Sequence, residues 1–260
     1  MITPFFTIIV PLTKRHSYLF PFTLDSLIAQ RGSSSFEVII VDATEGKALL
    51  HHLSLDQVSV IPAQSENLFA MLNQALKKAR GQYIHVLSPG EFYMSKKALA
   101  FVAKIIHAYD FPDLLYAARM LRHSFGQPTI DIHPITEPDL KGARIPTTLQ
   151  PFWLRRQTLE MIGGFNEKYQ VEGGFELICR FFQSPTLKKA FVKRVITDYE
   201  YRKPTPRWII RQCLETFWIS LSKFGPTTHL FAWLVRNCLR LFRFSWKIAR
   251  IAFWKRHVAY

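Results

Sequence analysis

The stretch that most constrains this chain is GQYIHVLSPGEFY, residues Gly81 to Tyr93. Tyr83, Ile84, His85, Val86 and Leu87 form a short apolar run with no alternation of polar and apolar positions. Such a run suits a strand buried on both faces, in the middle of an α/β sheet. It breaks sharply at Ser88-Pro89-Gly90-Glu91. Ligands in open α/β sheets bind just beyond the carboxyl ends of the strands, so Ser88 to Glu91 is the first place to look for chemistry.

The surrounding sequence alternates strand and helix patterns. Phe5 to Leu12 predicts a first strand, Ser17 to Gln30 a helix closed by Arg31-Gly32, and Phe36 to Val41 a second strand with Asp42 at its carboxyl end. A polar loop from Ala43 to Lys47 precedes a short helix, and Val58 to Pro62 is a third strand. Asn67 to Arg80 is amphipathic, with Leu68, Met71, Leu72, Ala75, Leu76 and Ala79 on its core face. Beyond the opening strand come a helix over Lys96 to Tyr109, a strand over Leu114 to Arg122 and a loop or lid over Ser124 to Pro146. Pro151 to Arg156, a helix over Gln157 to Ile162, the turn Gly163-Gly164, a helix over Phe175 to Gln183 and a strand over Phe191 to Arg202 follow. This alternation predicts a mainly parallel sheet with right-handed crossovers. The 260 residues suffice for one such domain and an appendage, divided as residues 1–202 and 203–260, with Lys203-Pro-Thr-Pro206 as the linker.

Net charge is +15, which points to an anionic partner: nucleic acid, acidic lipid or a phosphate-bearing substrate. From Lys203 onward there are eleven Lys or Arg and one acid, Glu215, so about +10 of the excess lies there. Cys179, Cys213 and Cys238 have no disulfide or zinc spacing and read as reduced, buried thiols. The opening MITPFFTIIVPLT reads as a strand rather than a signal peptide, and no run of eighteen uncharged apolar residues predicts a membrane span.

In order and spacing these motifs resemble family 2 glycosyltransferases of GT-A fold, over roughly residues 5 to 202. TIIVPLT resembles the family's first strand and nucleotide-contacting turn, here Pro11 and Thr13. FEVIIVDATEG resembles the second strand, whose terminal acid contacts the nucleoside; Asp42 matches. NLFAMLNQALKKARGQYIHVLSPGE resembles the helix, Gly turn and strand leading to the metal-binding DxD motif; Asn73 and Gly81 match. QPFWLRRQTLEMIGGFNEKYQVEGGFELICRF resembles the acceptor-side segment, with Gly163, Gly164, Phe165, Glu167, Leu177 and Arg180 matching. The resemblance implies an α/β fold of GT-A, nucleotide-diphospho-sugar transferase type: a Rossmann-like mixed, mainly parallel sheet with flanking helices, followed here by C-terminal amphipathic helices. It also implies a nucleotide-diphosphate sugar donor, a lipid-linked or cell-envelope glycan acceptor, Mg²⁺ or Mn²⁺, and nucleotide contacts from Pro11, Thr13, Asp42, Asn73 and Ser88.

Two catalytic positions depart from the family. Where it has aspartates after the strand, this chain has Ser88-Pro89-Gly90-Glu91, leaving Glu91 as the metal ligand beside the weaker Ser88 hydroxyl. The family's base aspartate falls on Gly174, leaving Glu172 as the substitute base, with Glu176 behind it. A misplacement of about one ångström can already cost about 100-fold in rate. The alternative to an active enzyme is therefore a catalytically impaired pseudoenzyme serving as membrane scaffold or partner subunit. Glu176 also pairs by spacing with Arg180, four residues on. Lys96 and Lys97 read as solvated helix residues, with stabilisation of a diphosphate leaving group as the alternative. His51-His52 and His133 lack metal-ligand spacing. Arg207-Trp208 resembles the arginine-tryptophan pair of processive synthases but lacks its preceding glutamine.

Residues 207–224 and 229–254 read as two helices split by Gly225-Pro226. In the second, Arg236, Arg240, Arg243, Lys247 and Arg250 recur at steps of four and three, forming a cationic stripe beside a broad aromatic face. That composition suits a helix lying in the interface of an anionic membrane, on the cytoplasmic side, as a peripheral anchor. Five cations at roughly 1 kcal/mol each are marginal alone, and the aromatics supply the rest. Nucleic acid is the less fitting partner, because the aromatics exceed what a phosphate-tracking stripe needs and no nucleic-acid motif is present.

Overall fold

The computed structural model describes residues 3–32, 34–46, 57–121, 127–144, 148–199 and 205–237. The chain divides into two units, one of Met1–Pro134 with Pro146–Pro204, the other of Ile135–Ile145 with Thr205–Tyr260.

The first unit is built on strands β1 (Phe6–Leu12), β2 (Phe36–Asp42), β3 (Val58–Pro62), β4 (Tyr83–Val86), β6 (Leu114–Leu121), β7 (Thr129–Asp131), β8 (Phe152–Arg155) and β9 (Lys189–Val195). Their order is β3-β2-β1-β4-β8-β6-β7, with β9 also paired to β6. The pairs β3–β2, β2–β1, β1–β4 and β6–β9 are parallel, while β8 runs antiparallel to both β4 and β6. Two further short strands, β5 (Glu91–Tyr93) and β10 (Thr197–Tyr199), make a separate antiparallel pair. Helices α1 (Phe20–Ile28), α2 (Leu68–Leu76), α3 (Ala98–Ala108), α5 (Arg156–Met161) and α6 (Gly173–Gln183) complete this unit.

Every residue of β1 and of β4 is buried, as expected of strands covered on both faces. Phe20, Leu24 and Leu27 from α1 and Leu99, Val102 and Ile106 from α3 pack into the same core as Ile8, Val10 and Ile40. At the amino ends of the strands, Glu37 accepts hydrogen bonds from Thr7 Oγ1 at 2.7 Å and from Arg80 N at 2.7 Å. Burial pushes the Glu37 carboxyl up, but these bonds and the Arg80 guanidinium hold it below the ordinary carboxylate value. Gly81 is fixed there by space: a Cβ would sit 2.3 Å from Thr7 N.

Several expected boundaries move. The first helix begins at Phe20 after a 3₁₀ turn over Ser17–Leu19, with Pro21 in its first turn, where a missing N–H costs nothing. The segment expected as a loop between Ser124 and Pro146 contains β7 and a short helix, α4 (Glu137–Lys141), capped by a reciprocal Thr136–Asp139 box. The last expected strand, Phe191 to Arg202, is two strands, β9 and β10, with different partners. The helix from Phe175 begins two residues earlier, at Gly173. The short helix expected after Lys47, with His51 and His52, lies outside the described residues.

In the second unit, α7 (Pro206–Phe224) is capped by Thr205, whose hydroxyl accepts from Trp208 N at 3.3 Å. Residues 228–237 are helical, and Cys213 Sγ lies 3.8 Å from Asn237 Oδ1. Leu140, Ile209, Ile219, Leu230 and Trp233 are the unit's buried apolar residues among those described. Of the expected cationic stripe, Arg236 is exposed and Arg240, Arg243, Lys247 and Arg250 lie outside the described residues.

Candidate active site

Along the chain, the connections from β1 through β2 to β3 run to one side of β1, and β4 then returns to its other side. The direction of winding therefore reverses between β1 and β4, which opens a crevice beyond their carboxyl ends. Thr13 follows β1 there, Asp42 ends β2 in register with Leu12, and Ser88 lies two residues beyond β4, after Leu87, whose N donates to Ile9 O at 3.0 Å. Pro11 is buried in β1 beside Val41. The carboxyl edge of the sheet thus gathers Pro11, Thr13, Asp42 and Ser88.

Ser88 to Glu91 forms a tight turn closed by Glu91 N donating to Ser88 O at 2.8 Å, with Pro89 second and Gly90 third at φ +89°. Proline presets the second position, and the positive φ explains glycine at the third. The Glu91 side chain folds back, so that Oε2 accepts from Ser88 N at 2.6 Å, and the residue is buried. A residue that sequence reasoning passed over holds the turn from outside. Thr23 Oγ1 on α1 donates to Glu91 O at 2.7 Å and accepts from Gly90 N at 2.9 Å. A lone Thr in an otherwise apolar helix face was the available signal. Lys96 and Lys97 are held elsewhere: Gln30, just beyond the carboxyl end of α1, donates to Ser95 O. Arg31 N donates to Lys96 O at 2.7 Å. Both lysines are solvent-exposed.

Asp42 organises its own loop. Oδ1 accepts from Thr44 N at 2.7 Å and Thr44 Oγ1 at 2.6 Å, and Oδ2 accepts from Gly46 N at 2.8 Å. Three of roughly four acceptor sites on the carboxylate are thereby used. The loop curls through Glu45 and Gly46 at φ +61° and +79°. Lys14, just beyond β1, reaches Glu45 in the loop after β2 at 2.6 Å, and this hydrogen bond raises its pKa. Lys14 is a cation at the carboxyl edge that no motif singled out.

The acceptor-side turn is stapled from two directions. Asn73 on α2 donates through Nδ2 to Phe165 O at 2.8 Å and Glu167 Oε1 at 2.7 Å, and accepts from Phe165 N at 2.9 Å. Its amide thus holds the Gly163-Gly164-Phe165 turn, and the expected nucleotide contact of Asn73 has this structural role beside it. Arg180 donates to Ile162 O and Gly164 O, each at 2.6 Å, and pairs with Glu176 at 2.9 Å. Glu176 is therefore the ionic partner of Arg180, as its spacing suggested. Glu172 precedes α6 and is only 1% exposed, buried rather than solvated. The adjoining Gly173 packs flush against Phe69, where a Cβ would lie 2.6 Å from the ring. Phe69 is in the first turn of α2, which leaves the carboxyl end of β3, so Glu172 belongs to the same edge of the sheet as Asp42.

Beneath the Ser88 turn lies a buried polar network. His85 Nε2 donates to Gln150 O at 2.7 Å, and because that carbonyl can only accept, Nδ1 accepts from the Tyr93 hydroxyl at 2.7 Å. Burial pushes the His85 pKa down to about 4 and the Tyr93 pKa well up, so both are neutral near pH 7. The imidazole stacks on Trp153 with centroids 4.4 Å apart. Thr197 Oγ1 also donates to Gln150 O, at 3.2 Å. The network joins β4, β5, β8 and β10 under the crevice. Continuing the β4–β8 register brings Gln150 level with Ser88. Asp198 on β10, opposite Phe92, is a further buried carboxylate that the single-strand expectation for Phe191 to Arg202 concealed.

A divalent cation asks for several hard oxygens, at the least one or two free carboxylates beside phosphate. Glu91 is turned inward to Ser88 N, and Asp42 is turned to Thr44 and Gly46. Among the described residues no group of three His, Cys, Asp or Glu could hold a metal ion. This donor set does not fit a DxD-type centre. His133 is exposed beside Asp131 and forms no such group.

No protein-family model matches the chain. Curated PGL/p-HBAD biosynthesis glycosyltransferases of Mycobacterium bovis and Mycobacterium tuberculosis are each 24% identical over 216 residues, spanning 76% of this chain and 78% of theirs. S. aureus TarS 1-349 in complex with UDP superposes with a TM-score of 0.57 at 18% identity, over 86% of this chain and 68% of that one. The mannosyltransferase PcManGT from Pyrobaculum calidifontis, in complex with GDP-Man and Mn²⁺, superposes with a TM-score of 0.60 at 16% identity, over 91% of this chain and 70% of that one. The chain has the GT-A fold, and these relatives and structural neighbours are glycosyltransferases. The crevice between β1 and β4 lies where open α/β sheets take their ligands. The turn after β4 is closed on itself within an intact sheet.

Proposed function

We propose that this protein is a glycosyltransferase of family 2 type that moves a sugar from a nucleotide-diphosphate donor to a lipid-linked or cell-envelope glycan acceptor, working peripherally at the cytoplasmic face of an anionic membrane. The observation that carries the donor assignment is the convergence of Thr13, Asp42 and Ser88 on the carboxyl edge where the winding reverses. Pro11, Thr13 and the Asp42 loop receive the nucleoside, and the remaining acceptor site on the Asp42 carboxylate suits a base N–H. Ser88 faces the diphosphate, and Lys14 supplies the nearby positive charge. Glu172 takes the proton of the acceptor hydroxyl as its oxygen bonds to the anomeric carbon. The bond from that carbon to the phosphate oxygen breaks, and the electron pair leaves with the nucleoside diphosphate. The nucleotide sugar is supported by GDP-Man and UDP in the structural neighbours, and Mn²⁺ in PcManGT belongs to that protein's site. No step here is assigned to a metal, because the residues present do not fit one.

The folded-back Glu91 and the glycine at position 174 favour a second reading, a catalytically impaired protein of the same fold acting as membrane scaffold or partner subunit. Calorimetric titration with UDP and GDP separates the two. Micromolar binding weakened by Asp42→Ala supports the enzyme, and the absence of binding to either nucleotide supports the scaffold.

A further inference from the structure

Helix α7 carries its larger apolar side chains on the exposed side. Ile209, Thr216, Ile219 and Ser220 are its buried residues, two of them polar. Ile210, Leu214 and Trp218 are 51%, 56% and 60% exposed. They recur at steps of four and so form one stripe. Phe217 extends it, its ring meeting that of Trp218 edge-on at 5.5 Å. The next helical segment repeats the arrangement: Leu230 and Trp233 are buried, while Phe231 and Val235, four residues apart, are exposed. Soluble helices bury their apolar stripe, so a helix that exposes Ile210, Leu214 and Trp218 in addition to its buried face of Ile209, Thr216, Ile219 and Ser220 carries a second apolar stripe, matched to another apolar phase.

Charge selects which phase. Arg207 and Arg211 border the stripe on α7 and Arg236 lies in the next segment, all three exposed. Residues 203–260 carry eleven basic residues against Glu215. A tryptophan-bearing apolar stripe flanked by arginines fits the interface of an anionic bilayer. Among the described residues no helix is long and apolar enough to span a membrane.

We infer that the stripe Ile210, Leu214 and Trp218 on α7 is the face that inserts into an anionic lipid interface, ahead of the basic segment that follows it. The inference rests on the peripheral-membrane part of the proposed function and assigns its insertion face.

The test is vesicle co-sedimentation of the full chain with phosphatidylcholine alone and with phosphatidylcholine containing phosphatidylglycerol. The comparison variant is Ile210→Ser/Leu214→Ser/Trp218→Ser, whose substitutions are all exposed. Wild type is expected to prefer the anionic vesicles, and the triple variant to partition at least roughly 100-fold less, with unchanged circular dichroism and melting temperature. Should the triple variant misfold, Trp218→Phe gives a second readout: brominated lipid quenches wild-type fluorescence more than that of the variant. Equal partition or equal quenching of the variants overturns the α7 assignment while leaving the membrane reading in place. Failure of the wild type to bind either vesicle overturns both. A soluble dimer that the triple variant dissolves, without vesicle binding, shows that a second copy covers the stripe and also overturns the inference.

Discussion

The Thr23 hydroxyl donates to the Glu91 carbonyl at 2.7 Å, so α1 fixes the turn to which the sequence resemblance assigns a metal-binding motif. The same oxygen accepts from Gly90 N. Thr23→Val keeps the volume but leaves two buried backbone groups without this partner. It is expected to cost about 1–3 kcal/mol in urea denaturation and to weaken nucleotide binding, whereas Thr23→Ser retains both. A Thr23→Val protein with wild-type stability and affinity would show that the turn holds itself.

His85 gives the fold a defined acid sensitivity. Its pKa is about 4 when folded and about 6.5 when unfolded, so between these values the unfolded chain binds more protons. The contribution is fully present above about pH 6.5 and is lost as pH falls toward 4, by up to about 3 kcal/mol. Denaturation midpoints followed from pH 7 to 4 should drop in wild type. In His85→Gln they should start lower and fall less steeply. Parallel curves would remove His85 from the account.

The two glutamates near α6 separate by their effects. Glu176→Gln loses the charge that faces Arg180 and is expected to lower the melting temperature while leaving KM for donor little changed. Glu172→Gln is expected to lower kcat by 10²-fold or more with near-native stability. Steady-state kinetics beside calorimetry decides, and a reversal of the two patterns would exchange their roles.

Asn73 makes a third contrast. With its amide on Phe165 and Glu167, Asn73→Ala is expected to cost about 1–3 kcal/mol in stability and to leave UDP and GDP affinity within about twofold. A tenfold loss of nucleotide affinity at unchanged stability would return Asn73 to the nucleotide site.

The parallel half of the sheet was legible because β1, β2 and β4 are buried on both faces and read as unbroken apolar runs, with Gly81 and Asp42 as punctuation. Asp42 and Ser88 follow from strand ends alone. The rest depended on long-range pairing. β10 meets β5 across about a hundred residues, and Thr23 meets Ser88 and Glu91 across more than sixty, so no local pattern announces either. The bonds of Asn73 to Phe165 and Glu167 were not legible, because a motif match gives a position in the sequence and not the direction of its amide. His85 reads as one more residue of an apolar strand, and its network forms only when Tyr93 and Gln150 arrive from elsewhere.

Donor turnover in the presence of a chelator tests the central claim most directly. The full chain is incubated with UDP-glucose, UDP-GlcNAc or GDP-mannose and a membrane extract as acceptor source, in EDTA and in Mn²⁺, and the released nucleoside diphosphate is quantified. The account predicts release from at least one donor, persisting in EDTA within about threefold and falling by 10²-fold or more in Glu172→Gln. Release from none of the donors, or release abolished by EDTA, would contradict it.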